Sequence, residues 1–316
     1  MKQLILNLLD RPFVGTVVRY LFGFLRHRPK VFGLTNPLYV SHYFVQRDGC
    51  RYLAAGDTYL VLQSMASQIV KLDPRIYESE IAFLSKTLVR PDDTVLDIGA
   101  NVGLHTVAFA RAAYRGHVYA FEPVAEMAER LSLNCSLNGL DNVTVMNFAL
   151  GNEAGEAEMN VNVAGAGMEG TSSFIDSVHV QKRPHNYQPR KIQVQRLDDL
   201  MAQIKPKKRI GFIKVDTEGF EPMVLRGGLK TIQMHRPVMI VEAHSTRLAK
   251  VGLSFQWYLE TFPDYHALIV YSITPANPYL RLEPLGDEPP EIAVNLLLLP
   301  RTPGWDPTDT LTSRHG

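Results

Sequence analysis

The chain is short of cysteine, of long apolar runs and of excess charge of either sign. Cys50 and Cys135 are its two cysteines in 316 residues. They show neither metal-ligand spacing nor a disulfide framework, which excludes a cysteine-stapled scaffold and predicts a reducing, cytoplasmic setting. The net charge of +1, with no basic stripe and no series of stacking aromatics, removes the electrostatic case for a nucleic-acid partner. The most apolar segment, residues 12–25 (PFVGTVVRYLFGFL), is interrupted by Arg19 and flanked by Arg11, Arg26 and Arg28. It falls short of the roughly 20 apolar residues that a membrane span needs. No small-residue cleavage site follows it, so no signal peptide is expected. It reads as a helix packed on the domain or on a partner chain, with peripheral membrane contact as the alternative. There are no internal repeats, and the turn after the first sheet strand, Gly99 to Gly103, is not the G-x-G-x-x-G of dinucleotide-binding dehydrogenases.

What is present is apolar sequence amounting to 46% of the chain, enough for a full core, and one very informative run, VLDIGANVGLHTVAFA at 95–110. Val95 and Leu96 close a buried strand, and Asp97 follows at its carboxyl end. Gly99, Asn101 and Gly103 make a tight turn, and a helix begins at Leu104. A strand, a glycine turn and a helix place an adenosyl ligand at the edge of a parallel sheet. An acid ahead of the turn would repel a pyrophosphate, but it suits the cationic methionine end of S-adenosylmethionine.

Strands and helices alternate from there. The pattern predicts a helix over 77–89 and strands over 117–121, 143–150, 210–215, 238–241, 266–272 and 294–299, with a helix over 125–138 stopped by Gly139. This is the rhythm of a doubly wound α/β sheet. Residues 156–163 and 191–195 alternate apolar and polar, as a β-hairpin lying outside the main sheet. The Gly-, Ser-, His- and Pro-rich segment 164–189 between them reads as a long loop. Residues 1–75 form an N-terminal extension with strand-like runs at 39–45 and 59–63. Residues 76–300 form the cofactor domain, and 301–316 a flexible tail.

Polar residues gather at the predicted strand ends, where open α/β sheets bind ligands. Glu122 ends the second strand, about 25 residues after Asp97, where an acid holds ribose hydroxyls; a helix N-terminal acid is the plainer role. Asn147 ends the third strand, at the expected adenine edge. Thr106 is placed to bond the cofactor or to cap the turn, and His105 to pack. The fourth strand opens FIKVDTEGFEPMVLRGG at 212–228, where Lys214, Asp216, Glu218 and Glu221 crowd together. Buried charges are costly unless paired, so a lysine–carboxylate network at a reactive site explains that density. Glu242 and His244 end the fifth strand, and a histidine titrates where a general base must.

Together these segments resemble the FkbM-type methyltransferases, a family of S-adenosylmethionine-dependent enzymes. DIGANVGLHT, FEP with the following Asn134, VQRLDDL at 194–200, FIKVDTEGFEPMVLRGG and VEAH occur in the family's order over roughly residues 77–245. Arg196 stands where many relatives carry threonine. The resemblance implies the seven-stranded, mostly parallel, Rossmann-like class I methyltransferase sheet and transfer to oxygen on a sugar, glycan or natural-product hydroxyl. On this reading Asp97, Gly99, Asn101 and Gly103 surround the methionine end and Glu122 holds the ribose. Asp216, Glu218 or His244 orients the acceptor, with Lys214 in their network and Asp216 or His244 as base. The favoured reading needs no metal. A metal-assisted variant would use Asp216, Glu218, Glu221 and Glu242 as oxygen ligands, and a non-catalytic cofactor-binding module is the alternative from another class.

Overall fold

The computed structural model describes the backbone of five short strands between residues 30 and 61, and residues 78–163, 172–174, 181, 184–271, 280–286 and 293–302. The expected N-terminal helix at 12–25 and all but the first two residues of the expected tail lie outside the described residues. Among the described residues no helix is long and apolar enough to cross a membrane.

The early strands are β1 (Lys30–Val31), β2 (Leu34–Thr35), β3 (Tyr43–Arg47), β4 (Cys50–Ala55) and β5 (Thr58–Val61). The last three form an antiparallel meander. The sequence gives no warning of β4, because CRYLAA has no β-branched residue. The domain proper continues with α1 (Ser79–Leu88), β6 (Thr94–Ile98), α2 (Leu104–Ala112), β7 (His117–Phe121), α3 (Ala125–Leu137), β8 (Val143–Met146), β9 (Ala149–Leu150), β10 (Gly155–Asn162), β11 (Tyr187–Gln195) and α4 (Leu197–Ile204). It ends with β12 (Ile210–Val215), α5 (Glu221–Gly227), α6 (Leu229–His235), β13 (Val238–His244), α7 (Ser245–Lys250), α8 (Gln256–Thr261), β14 (Tyr265–Tyr271), β15 (Arg281–Pro284) and β16 (Ala293–Pro300).

The main sheet runs β15-β14-β16-β13-β12-β6-β7-β8. The five strands from β13 to β8 are parallel, and β14, β15 and β16 pair antiparallel. The expected seven strands are therefore eight, because Arg281–Pro284 adds itself to the outer edge of β14.

β6 and β12 are buried at every position, as strands covered on both faces must be. Alternate residues then serve opposite faces. Leu96, Ile98, Ile213 and Val215 pack with Leu197, Leu225 and Tyr258 on one side. Val95 and Phe212 pack with Ile81, Leu84 and Phe109 of α1 and α2 on the other. Helices on both faces make the sheet doubly wound. The chain reverses its direction of strand addition between β6 and β12, and a ligand crevice is expected at their carboxyl ends.

Two corrections bear on the site. Asp97 lies inside β6 rather than after it. The expected strand 143–150 is two strands, since the chain leaves the main sheet after Met146 and re-enters pairing as β9, parallel to β11. The predicted hairpin is present as β10 paired antiparallel with β11. Because β11 starts at Tyr187, the expected loop 164–189 gives up its last three residues to a strand.

Two glycines join these parts. The Asp216 amide donates to the Ile98 carbonyl at 3.0 Å, and a Cβ on Gly99 would lie 1.8 Å from the Asp216 carbonyl oxygen. A Cβ on Gly227 would lie 2.0 Å from the Gly151 carbonyl, just beyond β9. Gly227→Ala should therefore pry the hairpin sheet from α5 and lower stability by about 1–3 kcal/mol, the usual cost of overpacking. Urea unfolding checks this, and an unchanged midpoint would show that the contact is easily relaxed.

Candidate active site

The turn after β6 alternates ordinary and left-handed residues: Gly99 at φ +79°, Asn101 at φ +50° and Gly103 at φ +89°. Glycine tolerates these angles, and asparagine does so better than most residues. The second strand's acid fastens the turn. One Glu122 oxygen accepts from the Asn101 amide and the other from the Val124 amide, both at 2.9 Å. Asn147 completes the chain by donating to the carbonyls of Glu122 at 2.9 Å and Pro123 at 3.1 Å, which draws the backbone out of the main sheet after β8. Asn134 of α3 donates to the Val102 carbonyl at 2.7 Å. Asp97, Gly99, Asn101, Gly103, Glu122 and Asn147 are thus brought to one edge, with Glu122 and Asn147 tied to backbone there.

Asp97 is fully buried. Its Oδ2 accepts from the Thr106 hydroxyl at 2.5 Å, so Thr106 stands behind Asp97. Among the described residues Asp97 Oδ1 is buried with no hydrogen-bond donor, as is Asn101 Oδ1.

Lys214 sits beside Asp97 in register on β12 and is buried to 2% exposure. Its Nζ donates to Asp216 Oδ2 at 3.0 Å. Burial works against the ammonium, but the carboxylates of Asp216, Asp97 and Glu78 outweigh it and raise its proton affinity. Burial likewise raises the Asp216 carboxyl, and Lys214 overrides it and holds the group below the usual carboxylate range.

The other acids of the fourth-strand motif differ from one another. Glu221 Oε1 accepts from the Thr217 amide at 2.7 Å, the Thr217 hydroxyl at 3.1 Å and the Gly219 amide at 3.0 Å, so Glu221 builds the loop. Glu218 adopts a left-handed backbone, φ +57°, and pairs with Arg247. The Arg247 guanidinium also donates to Glu242 at 2.7 Å. Burial pushes Glu218 up to about 8, with Arg247 opposing the rise and Asp216 adding to it.

His244 accepts on Nδ1 from the Thr246 amide at 3.3 Å and lies 3.0 Å from the Thr246 hydroxyl, capping α7. His105, expected to pack, has a charged neighbour: its Nε2 is 2.7 Å from Glu78 Oε2. Sequence reading passed over Arg247 and Glu78. Arg247 follows Glu242 by five residues, and two acids at strand ends without a named cation were the signal to look for one. Glu78 belongs to a different helix, and nothing local marks it.

Apart from Glu78, the site's residues fall inside a segment of known kind. Residues 97–272 match the family described as Methyltransferase FkbM domain. The chain belongs to the FkbM methyltransferase family. It is 26% identical over 178 residues to Methyltransferase 1 of Beauveria bassiana, covering 51% of this chain and 70% of that one. It is 24% identical over 188 residues to the 2-O-methyltransferase NoeI of Sinorhizobium fredii, covering 56% and 74%. Among solved structures it is similar to Methyltransferase FkbM from Methylobacillus flagellatus KT, at 17% identity and a TM-score of 0.41, over 72% of this chain and 51% of that one. The chain thus spans about half the length of that solved relative. The FkbM segment holds the carboxyl ends of β6, β7, β8, β12 and β13.

Glu122 offers a test of the site's electrostatics. Burial raises its carboxyl from 4.5 to about 7, against the two amide hydrogen bonds. The folded protein then keeps a proton that the unfolded chain releases between those values, so stability is full below about 4.5 and declines as pH rises through 7. The decline is on the order of 3 kcal/mol, at about 1.4 kcal/mol per pH unit. Urea unfolding at a series of pH values should show this component in the wild type and its loss in Glu122→Gln; equal slopes would mean that Glu122 is ionised throughout.

Proposed function

We propose that this FkbM protein is an S-adenosylmethionine-dependent O-methyltransferase that acts on a hydroxyl of a sugar, glycan or natural product. The observation that carries the reading is the seating of Gly99 on the Asp216 carbonyl, which sets the first-strand turn and the fourth-strand carboxylates side by side at the switch point of the sheet. A relative named as a 2-O-methyltransferase supports oxygen as the acceptor atom.

The residues present fit the cofactor. Asp97 Oδ1 and Asn101 Oδ1 are buried acceptors without donors among the described residues, and an unmet buried acceptor is expensive. The α-ammonium of S-adenosylmethionine is a donor of the right charge for that turn. Glu122 and Asn147 shape the next stretch of the edge, where the ribose and adenine would lie. When bound, the cofactor supplies a methyl group already activated on a sulfonium.

The chain's own part is positioning and proton handling. Lys214 fixes one oxygen of Asp216, and the side chain remains about a quarter exposed, at 27%. Asp216 is therefore the group we assign to orient the acceptor hydroxyl and take its proton. Glu218, held by Arg247, lines the acceptor side. His244 suits the base role less well. With Nδ1 accepting from a backbone amide, its ring proton sits on Nε2, which then donates.

Two variants separate binding from turnover. Asp97→Asn keeps the volume and removes the charge, and should weaken S-adenosylmethionine in calorimetric titration by about 10- to 100-fold, the worth of a charged hydrogen bond. Asp216→Asn should bind the cofactor as the wild type does and lose about 10²- to 10⁴-fold in methyl transfer. No cofactor binding by folded wild type would overturn the reading, and full turnover by Asp216→Asn would remove Asp216 from the chemistry.

A further inference from the structure

We propose that Asp216, Glu221 and Glu242 form a binding site for one divalent cation of the magnesium, calcium or manganese class. One oxygen from each of the three lies within 4.8 Å of the others. Each carboxylate is also half engaged. Asp216 gives Oδ2 to Lys214, Glu221 gives Oε1 to its own loop, and Glu242 gives Oε2 to Arg247. Protein donors thus orient each of the three carboxylates through one oxygen, which is how outer partners set the ligands of a metal site.

The spacing fits hard cations. Two oxygens on opposite sides of calcium stand about 4.6–5.2 Å apart, and on magnesium about 4.0–4.2 Å. The three oxygens lie within 4.8 Å of one another, a bound inside the calcium range and somewhat above that of magnesium.

Charge gives the second argument. The four crowded carboxylates of Asp216, Glu218, Glu221 and Glu242 outnumber the two side-chain cations, Lys214 and Arg247, that pair with them.

A third observation is independent of the acids. Tyr258 is fully buried, its hydroxyl has no hydrogen-bond partner among the described residues, and Glu221 and Glu242 are the charged groups near enough to add to the effect of burial on it. Water bound to the ion would supply the hydrogen bond that this hydroxyl lacks. An ion with three protein oxygens keeps room in a shell of six to eight for water or an acceptor hydroxyl, whose acidity it would raise. That last role rests on the methyltransferase reading; the binding site does not.

The test is titration of Mn²⁺ into the metal-stripped full chain, followed by the loss of the free-ion electron paramagnetic resonance signal, with Mg²⁺ and Ca²⁺ as competitors. One ion per chain is expected, weakened at least tenfold in Glu242→Gln and, should that variant not fold, in Asp216→Asn. Tyr258→Phe should weaken it less. Folded wild type that takes up no Mn²⁺ at about 10 mM, above the range of the weakest natural calcium modules, overturns the proposal. So does unchanged binding in the carboxylate variants. S-adenosylmethionine titrated into the same sample keeps the two readings apart: ion uptake without cofactor binding sustains the site and sinks the enzyme reading, and the reverse result does the opposite.

Discussion

Lys214 is a charge that this sheet cannot bury alone. It stands in the middle of the parallel strands at 2% exposure, where an unpaired ammonium would be expelled or neutralised. Asp216 follows two residues later, just past the end of the same strand, and Asp97 lies beside Lys214 on the next. Fixing these three carries consequences outward. Thr106 must bond Asp97, which sets the start of α2. The chain must turn sharply between Asp97 and α2, so left-handed residues are needed there, and the turn in turn needs Glu122 to tie its amides. The loop after Asp216 crowds acids together, and Glu221 and Arg247 become necessary to hold them.

The same packing explains why the polar cluster sits where it does. Odd and even positions of β6 and β12 feed different faces of the sheet. Leu96, Ile98, Ile213 and Val215 close one face completely. On the other, Val95 and Phe212 fill the middle, and the next residues in phase are Asp97 and Lys214. The apolar filling of that face therefore stops one pleat short of the strand ends. Into the remaining space the neighbouring helices deliver Thr106, His105 and Glu78 in place of more aliphatic carbon. A sheet filled to its end would be more easily stabilised and would have no reactive edge.

Much of this was legible in the residues. Alternation of β and α gave the doubly wound class, and Ile210–Val215 was bounded correctly, because a run buried on both faces and ended by acids has few alternative readings. The hairpin β10–β11 was visible because one of its faces is exposed, so its polar residues alternate. Three things were hidden for physical reasons. β15 is an edge strand of four residues, too short to show a period. The break after Met146 depends on Asn147 reaching carbonyls on another strand's loop, a long-range bond with no local mark. And Asp97 was placed after its strand instead of within it, because a charge reads as a terminus when its partner, Thr106, lies in the following helix.

Sequence position also hides how the acids divide their work. Glu122, Asp216, Glu218, Glu221 and Glu242 all lie at strand ends, in the loops just beyond them or at the start of the helix that follows, and by type they look interchangeable. Their partners separate them. Glu122 spends both oxygens on backbone amides, and Glu221 one of its oxygens on three donors of its own loop. These two hold the shape of the turns. Asp216, Glu218 and Glu242 are held by side-chain cations on one oxygen each. A carboxylate with both oxygens on backbone is fixed and already satisfied, and losing it unravels a loop. One held by a single cation is oriented yet still unsatisfied, which is the condition for acting on something else. By that measure the carboxylates left with capacity to spare lie between Lys214 and Arg247, two cations that orient them on one oxygen each.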